Sequence, residues 1–153
     1  MWSSRRLFLL LALAGCGFTP AYGVKSPARA LLDQVQVQAP KTRDDFDFVA
    51  ALEAQVGRAS APRFDLAYTI TTTQAGVGIT VDGATTRYTL TGTADYTLTA
   101  DGQRVTGGKV TDFTAFSATG STVAGLTASA DAHRRLMQAL ADQVVRRLVM
   151  ELK

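Results

Sequence analysis

Leu31, Asp33, Val35 and Val37 alternate with Gln34, Gln36 and Gln38. A period of two marks a half-buried strand, and Pro40 ends it. The period then changes. Phe46, Val49, Leu52 and Val56 recur at spacings of three and four, which predicts an amphipathic helix of about four turns with those residues inward. Thr42 is its candidate N-cap, Asp44 and Asp45 suit the positive end of its dipole, and Gly57 is its natural stop, with Pro62 just beyond. From Arg63 to Ala118 the period returns to two. Phe64, Leu66, Tyr68 and Ile70 form one apolar row, and Tyr88, Leu90, Ala94, Tyr96 and Leu98 another. Val105, Phe113 and Ala115 are expected to continue the theme.

Two Asp-Gly pairs, Asp82-Gly83 and Asp101-Gly102, separate these runs and supply the positive φ of tight hairpin turns. The segment is predicted to be a three-stranded antiparallel meander. A two-residue turn at Asp82-Gly83 sets Val77 opposite Tyr88 and Ala75 opposite Leu90, but farther down it sets Ile70 opposite Asp95. That mismatch of faces predicts a one-residue bulge within 71–78, near Gly76 and Gly78. The second turn sets Leu98 opposite Val105 and Leu90 opposite Phe113, a register expected to need no correction. After a polar loop over Gly120–Gly125, a long helix is expected from Leu126 or Ser129 to Leu152. Its stripe of Leu136, Met137, Leu140, Val144, Val145 and Leu148 is broad enough to cover a sheet. Strand, helix, three strands and helix, each with one apolar face, predict an α+β two-layer sandwich. It has a four-stranded sheet with two helices on one face, and the opposite, Thr-rich face is left to water or a polar partner.

The N-terminus follows a different logic. Arg5 and Arg6 precede the apolar run Leu7–Ala14, which is far shorter than the roughly 20 residues a spanning helix needs and fits a secretory signal. It ends Leu13-Ala14-Gly15-Cys16. A large apolar residue, two small ones and a cysteine form the lipobox pattern, in which Leu13, Ala14 and Gly15 admit the signal peptidase and the Cys16 sulfur takes a diacylglycerol thioether. The alternative is a plain secretory signal beside a stray cysteine. Ser4-Arg5-Arg6-Leu7-Phe8-Leu9 also resembles a twin-arginine signal, but the general secretory route is expected, because an ordinary basic region before a Leu-rich core is common to all such signals. Residues 1–15 are thus expected to be the signal peptide, 16–30 a lipidated Gly/Pro/Ala-rich tether, and 31–153 one domain.

Processing changes the charge. The chain has 16 Lys+Arg, 13 Asp+Glu and a net charge of +3. Removing residues 1–15, with two Arg and no acid, leaves 14 − 13, or +1. A nucleic-acid partner therefore has no support from net charge. Cys16 is the one cysteine, so no internal disulfide can form. His133 is the one histidine, and at this level it has no orienting partner, so a surface helix position is expected rather than a catalytic base. No Cys/His set can hold zinc. Gly76-Val77-Gly78 precedes no helix and is no phosphate loop. Neither enzyme chemistry nor a metal is expected, and the only prosthetic groups foreseen are the covalent diacylglycerol and N-acyl chain on Cys16.

Cys16-Gly17-Phe18-Thr19-Pro20-Ala21-Tyr22 resembles the mature start of the LPS-assembly lipoproteins, the LptE family, with Gly17, Phe18, Pro20 and Tyr22 at matching offsets. Thr85-Thr86-Arg87-Tyr88 resembles the family's strand after the first hairpin. The resemblance implies two helices on a four-stranded sheet. It also implies a lipid-anchored outer-membrane protein that plugs and helps assemble a β-barrel lipopolysaccharide translocon, with lipopolysaccharide itself a candidate ligand. The alternative is an outer-membrane lipoprotein that scaffolds another envelope assembly. Arg87 is a candidate partner contact, with pairing across the sheet as the competing explanation.

Overall fold

The computed structural model describes residues 31–81 and 83–152. The signal peptide, Cys16 and the tether lie outside them. The elements are β1 (Val35–Val37), α1 (Arg43–Val56), β2 (Phe64–Ile79), β3 (Thr85–Ala100), β4 (Gln103–Ser117) and α2 (Thr122–Glu151). The sheet order is β1-β2-β3-β4, with β1 parallel to β2 and the other pairs antiparallel. Both helices cover one face, as the layer argument requires. Phe48 of α1 packs on Tyr68 with ring centroids 5.0 Å apart, and Leu136 and Leu140 of α2 lie directly over Gly92 of β3. The single core joins Leu66, Leu90, Tyr96 and Leu98 of the sheet to Leu52, Leu136, Leu140 and Leu148 of the helices.

The first strand is shorter than its alternation suggests. Leu31 is buried, but Asp33 adopts φ +57° and the Gln34 N–H donates to the Leu31 carbonyl, which turns the chain before pairing begins. The turn is pinned from outside, because the Asp33 N–H donates to the Val56 carbonyl at 2.7 Å. Helix α1 starts and stops as expected. The Thr42 side chain accepts from the Asp45 N–H, and the Asp45 carboxylate accepts from the Thr42 N–H at 2.9 Å, giving a capping box. Gly57 stops the helix at φ +79°. Its inward face is a correction. Phe48, Leu52 and Val56 are buried, whereas Phe46 is 60% exposed. Either phenylalanine is compatible with the spacing; the position of Tyr68 selects Phe48.

The predicted bulge is present. Val77 is skipped between the pairs Gly76–Tyr88 and Gly78–Arg87, a second irregularity follows at Ile79, and Ile70 faces Ala94. The turn differs from the two-residue form. The Gly83 N–H donates to the Thr80 carbonyl and the Thr80 N–H to the Ala84 carbonyl. Tyr88 and Leu90 therefore face Gly76 and Gln74, not Val77 and Ala75. The third strand is also corrected. A bulge at Val105, between the pairs Thr99–Arg104 and Leu98–Thr106, shifts every later position by one. Leu98 faces Thr106, Leu90 faces Thr114, and Val110 and Phe116 become the buried residues. Val105 and Phe113 end up outside, 43% and 71% exposed, and Ala115 shares that face. A slip of one residue exchanges the faces of a strand; without it Lys109 would stand opposite Ala94 on the inner face, a conflict that the apolar Val105 and Phe113 mask in the sequence. Finally, α2 begins at Thr122 rather than Leu126, because the Ser121 hydroxyl accepts the Ala124 N–H and caps a turn that reads as loop.

Candidate functional site

Because the helices take the inner face, the outer face consists of the odd-numbered residues of β2, β3 and β4 between the bulges, with Arg104 added ahead of the bulge in β4. Register places them in rows: Thr69, Asp95 and Lys109; Thr71, Thr93 and Thr111; Thr73, Thr91 and Phe113. The Thr93 and Thr111 hydroxyls lie 3.2 Å apart. Asp95 and Lys109 pair at 3.4 Å, both largely exposed. A groove of ≈ 520 Å³ crosses this surface beside Arg104 and Lys109. Gly107 makes room for the Arg104 side chain: a Cβ there would lie 2.9 Å from the Arg104 guanidinium and 2.7 Å from the Tyr96 carbonyl. The face offers many hydroxyls, three cations (Arg87, Arg104 and Lys109) and one isolated aromatic ring, and is suited to hydrogen-bonding a polar surface.

Arg87 stands on the same face, exposed, at the start of β3. Its register neighbours are Gly78 and Ser117, and among the described residues no ion pair holds it. It borders a depression with Ser117, Asp131 and Arg135. Beyond it the β2–β3 hairpin presents Val77, Ile79 and Val81, all exposed. Cys16, its lipobox Leu13-Ala14-Gly15 and the motif residues Gly17, Phe18, Pro20 and Tyr22 fall outside the described residues.

His133 gains in tertiary structure the partner it lacks in sequence. Its Nδ1 lies 3.0 Å from both carboxylate oxygens of Asp44, in the first turn of α1, and both side chains are about three-quarters buried. Among the described residues no serine, threonine or tyrosine hydroxyl bonds the ring, and the pair ties α1 to α2. No group of three or more metal-ligating side chains occurs among the described residues, and no described helix is long and apolar enough to cross a membrane.

The inner face holds an uncommon feature. The register partners Tyr68 and Tyr96 both bury their hydroxyls with no hydrogen-bond partner among the described residues. Burial, and then the nearby Asp45 carboxylate, push the Tyr68 phenol up to about 12. Burial also raises Tyr96, with Glu151 adding to the shift and Arg147 opposing it. Beside Tyr68 a second groove of ≈ 490 Å³ opens between β2 and the start of α1, lined by Gln38, Lys41, Arg43, Ile70 and Thr72 among others. Sequence reasoning missed this groove. The one available signal was the contrast in length between the first two strands.

This architecture recurs in solved structures. A lipoprotein from Caulobacter crescentus superposes with a TM-score of 0.67 at 17% identity, over 82% of this chain and 95% of the other. Rare lipoprotein B from Shewanella oneidensis gives 0.59 at 9% identity, over 76% and 92%. A minor lipoprotein from Acinetobacter baumannii gives 0.53 at 17% identity, over 76% and 89%. At these identities the likeness establishes the fold alone. No curated protein matches the sequence. The sequence does match the LptE family profile, described as lipopolysaccharide-assembly, over residues 32–148. That span holds the first five elements and all but the last three residues of α2, and the chain belongs to the LptE lipopolysaccharide-assembly family.

Proposed function

We propose that this protein is an outer-membrane lipoprotein, lipidated at Cys16, that plugs and helps assemble a β-barrel lipopolysaccharide translocon and supports insertion of lipopolysaccharide into the outer leaflet. The family match over residues 32–148 carries this reading. The outer face supports it. A barrel interior is polar, and the Thr rows with Arg104 and Lys109 offer donors to such a wall without withdrawing anything from the core. Its role is to bind and shape its partner rather than to catalyse. Gly17 follows the cysteine where Asp commonly marks inner-membrane retention, which favours the outer membrane. Each acyl methylene buried there is worth about 0.8 kcal/mol, so several chains anchor durably.

The test is depletion in the host. Loss of the protein should leave the barrel partner misassembled and lipopolysaccharide absent from the cell surface. Normal surface lipopolysaccharide, with no barrel crosslinked to the protein, would favour a scaffold for another envelope assembly. Mass spectrometry of membrane-extracted protein should show acylated Cys16, and Cys16→Ala should block processing. A cleaved, unmodified chain in the soluble periplasm would refute the anchor.

A further inference from the structure

The two edges of the sheet are finished differently. On β4 the backbone groups that face outward belong to Thr111, Phe113 and Ala115, and α2 and a local side chain cover them. Gln143 Nε2 donates to the Thr111 carbonyl at 3.5 Å, the Asp112 carboxylate accepts the Phe113 N–H at 2.8 Å, and Arg135 donates to the Ala115 carbonyl at 3.5 Å. An edge covered in this way resists pairing with another strand.

Among the described residues, nothing covers the edge of β2 beyond Tyr68. β1 pairs only with Phe64, Asp65 and Leu66 of its sixteen residues. The Gln38 N–H donates to the Leu66 carbonyl at 2.9 Å, the Gln38 side chain accepts the Tyr68 N–H at 3.4 Å, and there the pairing stops. Backbone groups alternate sides along a strand. The N–H and C=O of Ile70, Thr72, Gln74 and Gly76 therefore point the same way as those of Leu66 and Tyr68, into open space. Among the described residues nothing hydrogen-bonds them from that side. The groove beside Tyr68, Ile70 and Thr72 continues the line that β1 would follow, and the first turn of α1 overhangs it. At the far end the bulge at Val77 closes the regular stretch.

We propose that an extended segment of the barrel partner adds to this sheet as a strand along Ile70–Gly76, in the place β1 vacates. The proposal rests on the translocon reading for the identity of the partner. The open edge is seven residues long, about 23 Å at strand rise, close to an ordinary strand. The groove mixes Lys41 and Arg43 with Asp44 and Asp45, so recognition comes from the backbone ladder rather than from charge. Barrel-wall strands are already paired on both sides, so the segment comes from a loop that faces the lumen. A second copy of this chain would bring its own 38–45 segment into the same groove. The chain's own N-terminal segment joins at Leu31, and β1 stands between it and the open edge.

Hydrogen exchange on the lipidated full chain tests this, comparing the barrel complex extracted from outer membranes with the chain purified alone. The amides of Ile70, Thr72, Gln74 and Gly76 should exchange at least about tenfold more slowly in the complex. Thr72→Pro, which removes an edge N–H at a position where an edge strand tolerates proline, should lower barrel recovery about tenfold more than Thr72→Val, which keeps it. Unprotected edge amides in a complex that still contains the barrel would overturn the strand addition and leave the translocon reading standing. Recovery of no barrel would overturn both. Protection already present in the purified chain would also overturn the proposal, pointing to a second copy if it grows with concentration, or to residues 17–30 if it vanishes when they are deleted.

Discussion

Tyr68 illustrates how a single side chain can be shaped by packing at the expense of its polar end. Its ring fills the space beside Phe48, and its hydroxyl is buried with no partner among the described residues. An unpaired buried hydroxyl costs about 1–3 kcal/mol. Tyr68→Phe should therefore leave the fold intact and raise its stability by about 1 kcal/mol in urea titrations at pH 7. The same substitution has an alkaline signature. The raised phenol value means that the unfolded chain loses this proton near 10.0 while the folded chain holds it to about 12. The contribution is constant below 10 and falls as pH rises through that window. Tyr68→Phe should flatten the loss of stability above pH 10, with Tyr96, shifted in the same direction, accounting for part of what remains. An unchanged slope would show that Tyr68 titrates normally. Gly92 is the opposite case, a position fixed by the absence of a side chain. A Cβ there would meet Leu136 at 2.9 Å and Leu140 at 3.0 Å beneath α2. Gly92→Ala should cost about 1–3 kcal/mol through overpacking, measurable as a lower urea midpoint with an unchanged slope.

Among the elements, α1 carries the clearest local instructions and the clearest tertiary one. Its capping box is complete, so Thr42→Ala should destabilise the protein by about 1 kcal/mol. Asp44, two residues on, acts across the fold through His133 of α2. A double-mutant cycle with Asp44→Ala and His133→Ala should return a coupling of about 0.5–1 kcal/mol at pH 6; additive losses would mean that the contact contributes nothing. The strands show the limits of pattern reading. In β2 the clash of Ile70 with Asp95 forces a bulge, and paired glycines mark its place, so both its existence and its region are legible. In β4 the uncorrected register carries a conflict of the same kind, because it sets Lys109 opposite Ala94 on the inner face, but Val105 and Phe113 look as suited to that face as Thr106 and Thr114 look unsuited, and these opposed signals mask it. The decisive term is the seating of Val110 and Phe116 under α2, with Phe116 stacked on Tyr88 at 5.3 Å.

At the scale of the whole molecule, the division of labour between the two faces makes a testable distinction. Thr71 and Thr93 lie side by side on the outer face, away from the core. Introducing like charges there, Thr71→Glu with Thr93→Glu, should cost about 0.5–1 kcal/mol of stability through cross-strand repulsion, yet sharply reduce recovery of the barrel if this face meets the lumen wall. Full recovery of the barrel with both charges in place would move the interface to the hairpin ends. The sequence by itself determined the order of elements, the layer architecture, the caps of α1 and the family, because these depend on periods, cap residues and motifs that act over a few neighbours. Tertiary structure alone decided the choice of Phe48 over Phe46, where the slip in β4 falls, the pairing of His133 with Asp44, and the unequal finish of the two sheet edges. Each of these is settled by contacts between residues far apart in the chain, which no local period encodes.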